Sequence, residues 1–143
     1  MNIISWNVNG LRAVVQKNFF ESFRLLSPDI LAIQESKLQE HQLTPEMRYV
    51  EGYDSYWSHA VRKGYSGVGV YTRLKPRKVG CGIGIPKYDD EGRIIEMDFG
   101  NFVFFNVYFP NGGMNEDRLQ YKLDFYRDFL EYADSYRKSG KNI

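Results

Sequence analysis

The sequence is poor in the residues that build disulfide-linked folds and metal cages. It contains one cysteine, Cys81, and two histidines among 143 residues. A single cysteine excludes an internal disulfide and agrees with a reducing compartment, so we expect a cytoplasmic protein, or a nuclear one in a eukaryote. His41 and His59 have no partner at the spacing of a metal or catalytic site.

Long apolar stretches and a charged, cleavable leader pattern are also missing. No apolar run approaches 20 residues, so the sequence indicates neither membrane spanning nor secretion. The net charge of +1 argues against nonspecific coating of nucleic acid, but it leaves room for a small basic site on one face. Hydrophobic residues make up 43% of the chain, enough for a core, and the length fits one domain over residues 1–143.

Apolar runs and turn residues predict a mixed α/β fold. We expect a helix after Asn18, with Glu21 as its capping partner, and a long helix after Asn115 that ends at Ser139. The order of elements indicates a sheet of mixed, mostly antiparallel direction with helices on one face. Strands are expected at residues 2–6, 30–33, 53–58, 68–72, 78–82, 93–99 and 102–108.

Helical spacing in the long helix predicts one buried stripe. Its members are Leu119, Leu123, Tyr126, Leu130 and Ala133, with Phe125, Phe129 and Tyr132 widening it. The continuous apolar run at residues 30–33 is typical of a strand covered on both faces. Little besides residues 43–49 is available to cover the second face, which indicates a missing partner layer.

Two strand ends carry polar groups that suit a metal and a phosphate. Glu35 follows the apolar run at residues 30–33, and a carboxylate at a sheet edge is a natural ligand for Mg²⁺. Asn7 and Asn9 lie in the turn after the first strand, where amides could hold a metal-bound water, a carboxylate or a phosphate oxygen. Taken alone, these positions are better explained by a solvated acid and by ordinary turn asparagines.

A third strand end adds a phenol and nearby cations. Tyr108 could hydrogen-bond a scissile phosphate, or it could be a packed aromatic with a satisfied hydroxyl. Asn111 and Arg118 would lie near it, and Arg118 offers a planar fork for phosphate or a surface pair with a neighbouring acid. Residues 62–67, Arg-Lys-Gly-Tyr-Ser-Gly, form a basic aromatic loop that suits a DNA backbone or, equally, a solvated hairpin tip.

Together these runs closely resemble the exonuclease III family of abasic-site DNA endonucleases, within the endonuclease/exonuclease/phosphatase superfamily. The resemblance spans nearly the whole chain in the family's order. The matching segments are ISWNVNGLRA (4–13), SPDIL (27–31), IQESK (33–37), KGYSGVG (63–69), DEGR (90–93), NVYFPNG (106–112) and RLQY (118–121). It implies the first half of a four-layer α/β sandwich built from two sheets with outer helices.

The resemblance also implies roles for individual residues. Glu35 would ligate Mg²⁺ or Mn²⁺, and Asn7 would belong to the same cluster. Asn9 would contact the metal's ligands and not the metal itself. Tyr108 would contact the phosphate. Tyr108, Glu35 and Asn7 are therefore the expected catalytic residues. Weaker candidates for DNA or phosphate contacts are Arg12, Lys37, Tyr65, Arg73, Arg93, Asn111 and Arg118.

The implied reaction is metal-assisted hydrolysis of the phosphodiester 5′ to an abasic site in double-stranded DNA, as in base excision repair, with 3′–5′ exonuclease activity also expected. The family's Gly-Asp-x-Asn and Ser-Asp-His runs are not in this chain. We therefore expect the chain to lack the C-terminal half of the fold, to be inactive alone and to self-associate. Two alternatives stay open: a catalytically dead module that binds DNA or protein, and a phosphatase or phospholipase of the same superfamily.

Overall fold

Seven strands and five helices follow the alternation of apolar and turn-forming segments along the chain, and the computed structural model describes all 143 residues. The strands are β1 (Ile3–Asn7), β2 (Ile30–Gln34), β3 (Asp54–Ser58), β4 (Val68–Thr72), β5 (Lys78–Cys81), β6 (Ile94–Asp98) and β7 (Val103–Val107). The helices are α1 (Leu11–Val15), α2 (Phe19–Leu26), α3 (Pro45–Arg48), α4 (Pro86–Asp89) and α5 (Glu116–Lys138). All seven predicted strands are present, whereas the short helices α1, α3 and α4 are not predicted from the sequence.

The strands form two sheets, as in the family fold that the resemblance implies, whereas the order of elements alone indicated a single sheet. Sheet A has the order β1-β2-β4-β3, and sheet B has the order β5-β6-β7. Only β1 and β2 pair in parallel, and every other neighbouring pair is antiparallel. The predicted mixed, mostly antiparallel α/β class is therefore confirmed.

The two sheets pack face to face, because alternate side chains of a strand point to opposite faces. Ile30 and Val70 of sheet A and Ile95 and Met97 of sheet B belong to one buried cluster between the sheets. The outer face of sheet A is covered by α1, α2 and α3 through a second buried cluster, and α4 and α5 cover sheet B through a third. The layers thus run helix, sheet, sheet, helix.

The long helix α5 packs on sheet B through Ala133 and the aromatic residues that widen the predicted stripe, and its leucines lie outside this contact. Phe125 is fully buried and Ala133 is 8% exposed, and the ring of Phe129 lies 5.5 Å from that of Phe105 on β7. The leucines of the predicted stripe are instead exposed, because the neighbouring aromatic face of α5 packs on sheet B. Exposed fractions are 47% for Leu119, 51% for Leu123, 40% for Tyr126 and 68% for Leu130.

An open apolar groove of about 750 Å³ lies beside the free edges of the two sheets. Ile3 of β1, Phe104 of β7 and Phe129 of α5 are among the residues that line it. The groove and the exposed leucines of α5 leave apolar surface in contact with water. No helix has both the length and the apolar character required to traverse a bilayer.

Candidate active site

The parallel pairing of β1 and β2 brings two predicted site residues together. Asn7 is the register partner of Gln34, so the carboxyl ends of both strands lie at one edge of sheet A. Glu35 follows Gln34 directly, and Asn7 Nδ2 donates to Glu35 Oε1 at 2.8 Å. The amide and the carboxylate that were predicted from separate segments therefore form one pair.

Lys37 and Asn9 complete this pair into a polar cluster. Lys37 Nζ lies 3.3 Å from Glu35 Oε2 and also donates to Asn9 Oδ1, while Asn7 Oδ1 accepts from the Asn9 amide at 3.0 Å. Burial opposes ionisation of Glu35, but hydrogen bonds from Asn7, Tyr108 and Lys37 outweigh it and hold the Glu35 pKa below its ordinary value. Glu35 is therefore a carboxylate at neutral pH.

The backbone around this cluster is unusual. Asn9, Glu35, Lys37 and Ser66 have φ between 46° and 55°, and Ser27 is the only other non-glycine residue in the left-handed region. Each such residue costs about 1 kcal/mol, and strain of this kind concentrates at functional sites. Backbone hydrogen bonds from Lys37 to Ser66 and from Gly10 to Glu35 tie the three turns together.

Tyr108 reaches the same cluster from sheet B, directly after β7. Its phenol lies beside the Glu35 carboxylate; burial first, and then the hydrogen bond with that carboxylate, raise the Tyr108 pKa to about 12. The phenol therefore keeps its proton at physiological pH and can donate a hydrogen bond. The structure brings all three predicted catalytic residues, Asn7, Glu35 and Tyr108, to one place.

Arg93 requires a correction, because a direct DNA contact is not available to a buried side chain. Its guanidinium is 1% exposed and donates to Glu91 Oε2 at 2.6 Å, to the Tyr108 carbonyl at 3.0 Å and to the Tyr65 hydroxyl at 2.9 Å. The sequence gives no sign of this burial, which depends on the neighbouring acid. Arg93 therefore holds Tyr108 and Tyr65 in position and does not contact DNA itself.

Tyr65 and Arg118 lie together on the other side of Arg93. The Tyr65 hydroxyl also accepts from Arg118 Nη2 at 3.2 Å, and Arg118 Nη1 donates to Glu91 Oε1 at 2.9 Å. Burial opposes ionisation of Glu91, but hydrogen bonds from Arg118 and Arg93 lower its pKa below the ordinary value. The sequence-predicted loop and the start of α5 are thus joined through Glu91, which sequence reasoning does not single out.

Arg12 and Lys37 lie at a shallow hollow on the far side of the cluster. The hollow has a volume of about 250 Å³ and is also lined by Gly10, Ser36 and Gly64. Arg12 makes no ion pair and is exposed. The two cations and the loop of Gly64 therefore face solvent together.

Two remaining candidates differ in their placement. Asn111 lies in the exposed loop between β7 and α5, where its Oδ1 accepts from the Gly113 amide at 2.9 Å. Arg73 follows β4, whose antiparallel partner β2 begins opposite it, so Arg73 lies at the far end of sheet A from Glu35. There its Nη2 donates to Ser27 Oγ at 2.7 Å and its guanidinium stacks 4.6 Å from the ring of Tyr53. Arg73 therefore does not belong to this site.

Two buried amide side chains next to the cluster are not identified from the sequence. Gln34 immediately precedes Glu35, and Asn106 lies two residues before Tyr108; Gln34 Nε2 donates to Asn106 Oδ1 at 2.8 Å. Their exposed fractions are 9% and 2%. The available signal is a polar residue inside an otherwise apolar strand, which is easily taken for an ordinary interruption.

The donor set fits a hard cation that keeps most of its water. No three His, Cys, Asp or Glu side chains lie close enough together to form a closed metal cage. Mg²⁺ commonly binds through one or two carboxylates and completes its shell with water and substrate phosphate. The Glu35 carboxylate and the second lone pair of Asn7 Oδ1 are oxygen donors of that kind.

Comparison with known proteins identifies what the chain is similar to. A model described as the Endonuclease/Exonuclease/phosphatase family matches residues 4–143. The chain is 41% identical over 133 residues to an exodeoxyribonuclease of Bacillus subtilis, covering 92% of this chain and 52% of that protein. It is 38% identical over 136 residues to a DNA-(apurinic or apyrimidinic site) endonuclease of Dictyostelium discoideum, covering 94% and 37% of the two chains.

A solved structure supports the same grouping. The catalytic domain of Xenopus laevis APE2 superposes with a TM-score of 0.86 at 28% identity, covering 99% of this chain and 55% of that one. The chain therefore spans about half the length, or less, of the proteins it matches.

Proposed function

The chain belongs to the endonuclease/exonuclease/phosphatase family, and from this premise we propose that it carries the metal- and phosphate-binding part of a nuclease that cleaves double-stranded DNA at abasic sites. One observation carries the proposal: Asn7 and Glu35 of sheet A and Tyr108 of sheet B converge on one point. The names of the two relatives, an exodeoxyribonuclease and an apurinic-site endonuclease, support a DNA substrate and both modes of cleavage.

The proposed metal site consists of the Glu35 carboxylate and the Asn7 amide oxygen, with Asn9 orienting water or phosphate beside them. Mg²⁺, or Mn²⁺, held there would stabilise negative charge on the phosphate and on the leaving oxygen. Lys37 lies 3.3 Å from the same carboxylate and adds positive charge at the point where phosphate would bind.

Tyr108 is proposed to donate its phenolic proton to a non-bridging phosphate oxygen. A pKa of about 12 keeps the phenol protonated, so it acts as a hydrogen-bond donor and does not act as a base. Fixed donors aimed at developing charge are among the largest contributions to catalysis, and removal of one costs on the order of 10²–10³ in rate.

The cations around this centre are proposed to contact the DNA backbone on either side of the scissile phosphate. Arg12 and Lys37 face solvent at one hollow, and Arg118 with Tyr65 and Asn111 lie on the Tyr108 side. Backbone contacts of this kind set the register of DNA without reading its sequence.

A chimera tests the proposal. Residues 4–143 replace the matching segment of the Bacillus subtilis exodeoxyribonuclease, and nicking of an abasic duplex is followed with Mg²⁺ and with EDTA. We expect metal-dependent nicking that falls on the order of 10²–10³ in Glu35→Gln or Tyr108→Phe. Matched controls, Glu21→Gln on α2 and Tyr126→Phe on the exposed side of α5, keep full activity.

Two results separate the alternatives. DNA binding whose affinity is unchanged by Glu35→Gln and Tyr108→Phe, without nicking by the chimera, would contradict the proposed centre and favour a module that only binds DNA. Hydrolysis of a phosphomonoester in preference to the abasic duplex would favour a phosphatase or phospholipase.

The 143-residue chain assayed alone is expected to be nearly inactive. Glu35 is committed to the metal, and neither histidine hydrogen-bonds a residue of the site, so no group there accepts a proton from the attacking water. Absence of a general base costs on the order of 10²–10⁴ in rate. Robust cleavage by the pure chain would contradict this expectation.

A further inference from the structure

Asn106 is an amide in the middle of an apolar strand, and it is 2% exposed. Its side chain lies on the face of β7 that meets sheet A. Nδ2 donates to the Ile33 carbonyl at 3.0 Å and to the Gly69 carbonyl at 2.8 Å, and Oδ1 accepts from Gln34 Nε2. Both N–H groups and the carbonyl of this amide are therefore engaged by sheet A.

The two carbonyls that Asn106 reaches belong to different strands. Ile33 on β2 and Gly69 on β4 are register partners, so the Asn106 side chain of sheet B bonds the carbonyls of two paired residues in sheet A. Gln34 has a further partner of its own, because its Nε2 also donates to Ser5 Oγ on β1 at 3.0 Å. One side chain of sheet B is thus connected to three strands of sheet A.

The remaining contact between the sheets is largely apolar. The buried cluster there consists of aliphatic side chains from β2, β4 and β6, which attract one another without a preferred direction. Hydrogen bonds depend steeply on distance and angle, and a fully satisfied buried network makes a packing arrangement unique. Apart from one weak bond, from Cys81 Sγ on β5 to the Trp57 carbonyl on β3 at 3.6 Å, Asn106 supplies the directed contacts between the strands of the two sheets.

On both sheets, the hydrogen bonds of Asn106 lie two residues before a residue of the proposed active site. Asn106 is two residues before Tyr108, and Ile33 is two residues before Glu35, a separation of about 7 Å along each strand. Glu35 and Tyr108 share no strand, so their approach depends on how the sheets are aligned. A small slip between the sheets would separate the phenol from the carboxylate.

We propose that Asn106 is a positioning residue that aligns sheet B on sheet A and so holds Tyr108 against Glu35. The effect of this alignment on catalysis rests on the proposed function, whereas the alignment of the two sheets does not depend on it. The amide touches no substrate and no metal ligand, and it acts through the strand that it shares with Tyr108.

The test measures the coupling between Glu35 and Tyr108 by a double-mutant cycle. Urea unfolding of the native chain, Glu35→Gln, Tyr108→Phe and the double variant gives the part of their effects on stability that is not additive. In an Asn106→Leu background, this coupling should fall to roughly half or less, because the two side chains are already apart. The whole 143-residue chain is used throughout.

Phe104→Leu is the matched control. Phe104 lies on the same face of β7 and packs against the cluster between the sheets, but it makes no directed bond to sheet A. This variant should lose stability and yet keep the full coupling between Glu35 and Tyr108. If Asn106→Leu does not fold, Gln34→Ala removes one of the hydrogen bonds of Asn106 from the opposite side and is measured in the same way.

Equal coupling between Glu35 and Tyr108 in the native and Asn106→Leu backgrounds would overturn the proposal, and so would the absence of any coupling in the native background. In the chimera, Asn106→Leu is expected to lower kcat about tenfold, the effect of about 1.4 kcal/mol, with KM little changed. A chimera that never nicks DNA, together with intact coupling, would reject the nuclease function and leave the positioning role standing.

Discussion

Arg93 and Tyr108 hold each other through both backbone and side chain. The Tyr108 amide donates to the Arg93 carbonyl at 2.8 Å, and Arg93 Nη1 returns a hydrogen bond to the Tyr108 carbonyl at 3.0 Å. The guanidinium also lies 4.9 Å from the centre of the Tyr108 ring. The tyrosine is therefore fixed from below by a cation that solvent hardly reaches.

Arg93→Ala should destabilise the protein by about 3 kcal/mol, because removal of one partner leaves the charge of Glu91 poorly compensated. It should also reduce nicking by the chimera, since Tyr108 loses its support. Thermal unfolding and the abasic-duplex assay measure the two effects. Arg127→Ala, at an exposed ion pair on α5, should leave the melting temperature unchanged. Equal melting temperatures for both variants would contradict the structural role of Arg93.

The stability of the chain should respond to acid through Glu35. The folded-state pKa lies below the ordinary value, so ionisation of Glu35 adds stability above the unfolded pKa, and this contribution is lost as pH falls through the folded pKa. The free-energy gap between the native chain and Glu35→Gln should therefore narrow as the pH falls below the ordinary pKa of a glutamate carboxyl. Urea unfolding at each pH measures the gap, and Glu21→Gln controls for the loss of one exposed carboxylate. A gap that widens on acidification would contradict the lowered pKa.

Gly92→Ala should be much more damaging than Gly64→Ala, although both glycines have positive φ of 59° and 66°. A Cβ at position 92 would lie 2.4 Å from the backbone carbon of His59, whereas one at position 64 meets nothing within 4 Å. We expect a cost of about 1 kcal/mol at Gly64 for the backbone alone, and a further 1–3 kcal/mol, roughly, at Gly92 for the clash. Chemical denaturation of the two variants measures their free energies of unfolding. Equal losses would contradict the close packing of His59, which follows β3, against Gly92.

The exposed leucines of α5 should make the chain self-associate. Leu123 and Leu130 are 51% and 68% exposed on α5, the helix whose Phe129 and Ala133 line the groove. Static light scattering should show dimers or larger species for the native chain and a monomer for the Leu123→Lys, Leu130→Lys double variant. Glu131→Lys, which changes charge on the same helix without removing apolar surface, should behave like the native chain. A native chain that stays monomeric at high concentration would refute this expectation.

Local patterns were sufficient to predict the strands and the residues at their ends. The run at residues 30–33 indicated β2, and the acid that follows it is placed where a parallel neighbour can bring Asn7 alongside. The predicted convergence needed only that β1 and β2 end at the same edge. The division into two sheets could not be predicted from these patterns, because pairing between distant strands depends on the whole arrangement.

The errors have physical causes of the same kind. In α5, helical spacing identified apolar residues, but the choice between the leucine face and the aromatic face is made by Phe105 of β7. Arg93 has the sequence character of a surface cation, and only the proximity of Glu91 allows it to be buried. Arg73 fits a DNA contact by type, yet the antiparallel course of β4 carries it to the wrong end of the sheet.

Left-handed backbone at Asn9, Glu35 and Lys37 has a consequence for how this protein can change over time. Glycine would relax each of these turns, but it would remove the side chain that the turn presents. Selection for a firmer fold and selection for chemistry therefore favour different residues at the same three positions. Substitutions that raise the melting temperature should accumulate first on the outer helices. The turns at Asn9, Glu35 and Lys37 should keep their unfavourable backbone conformation.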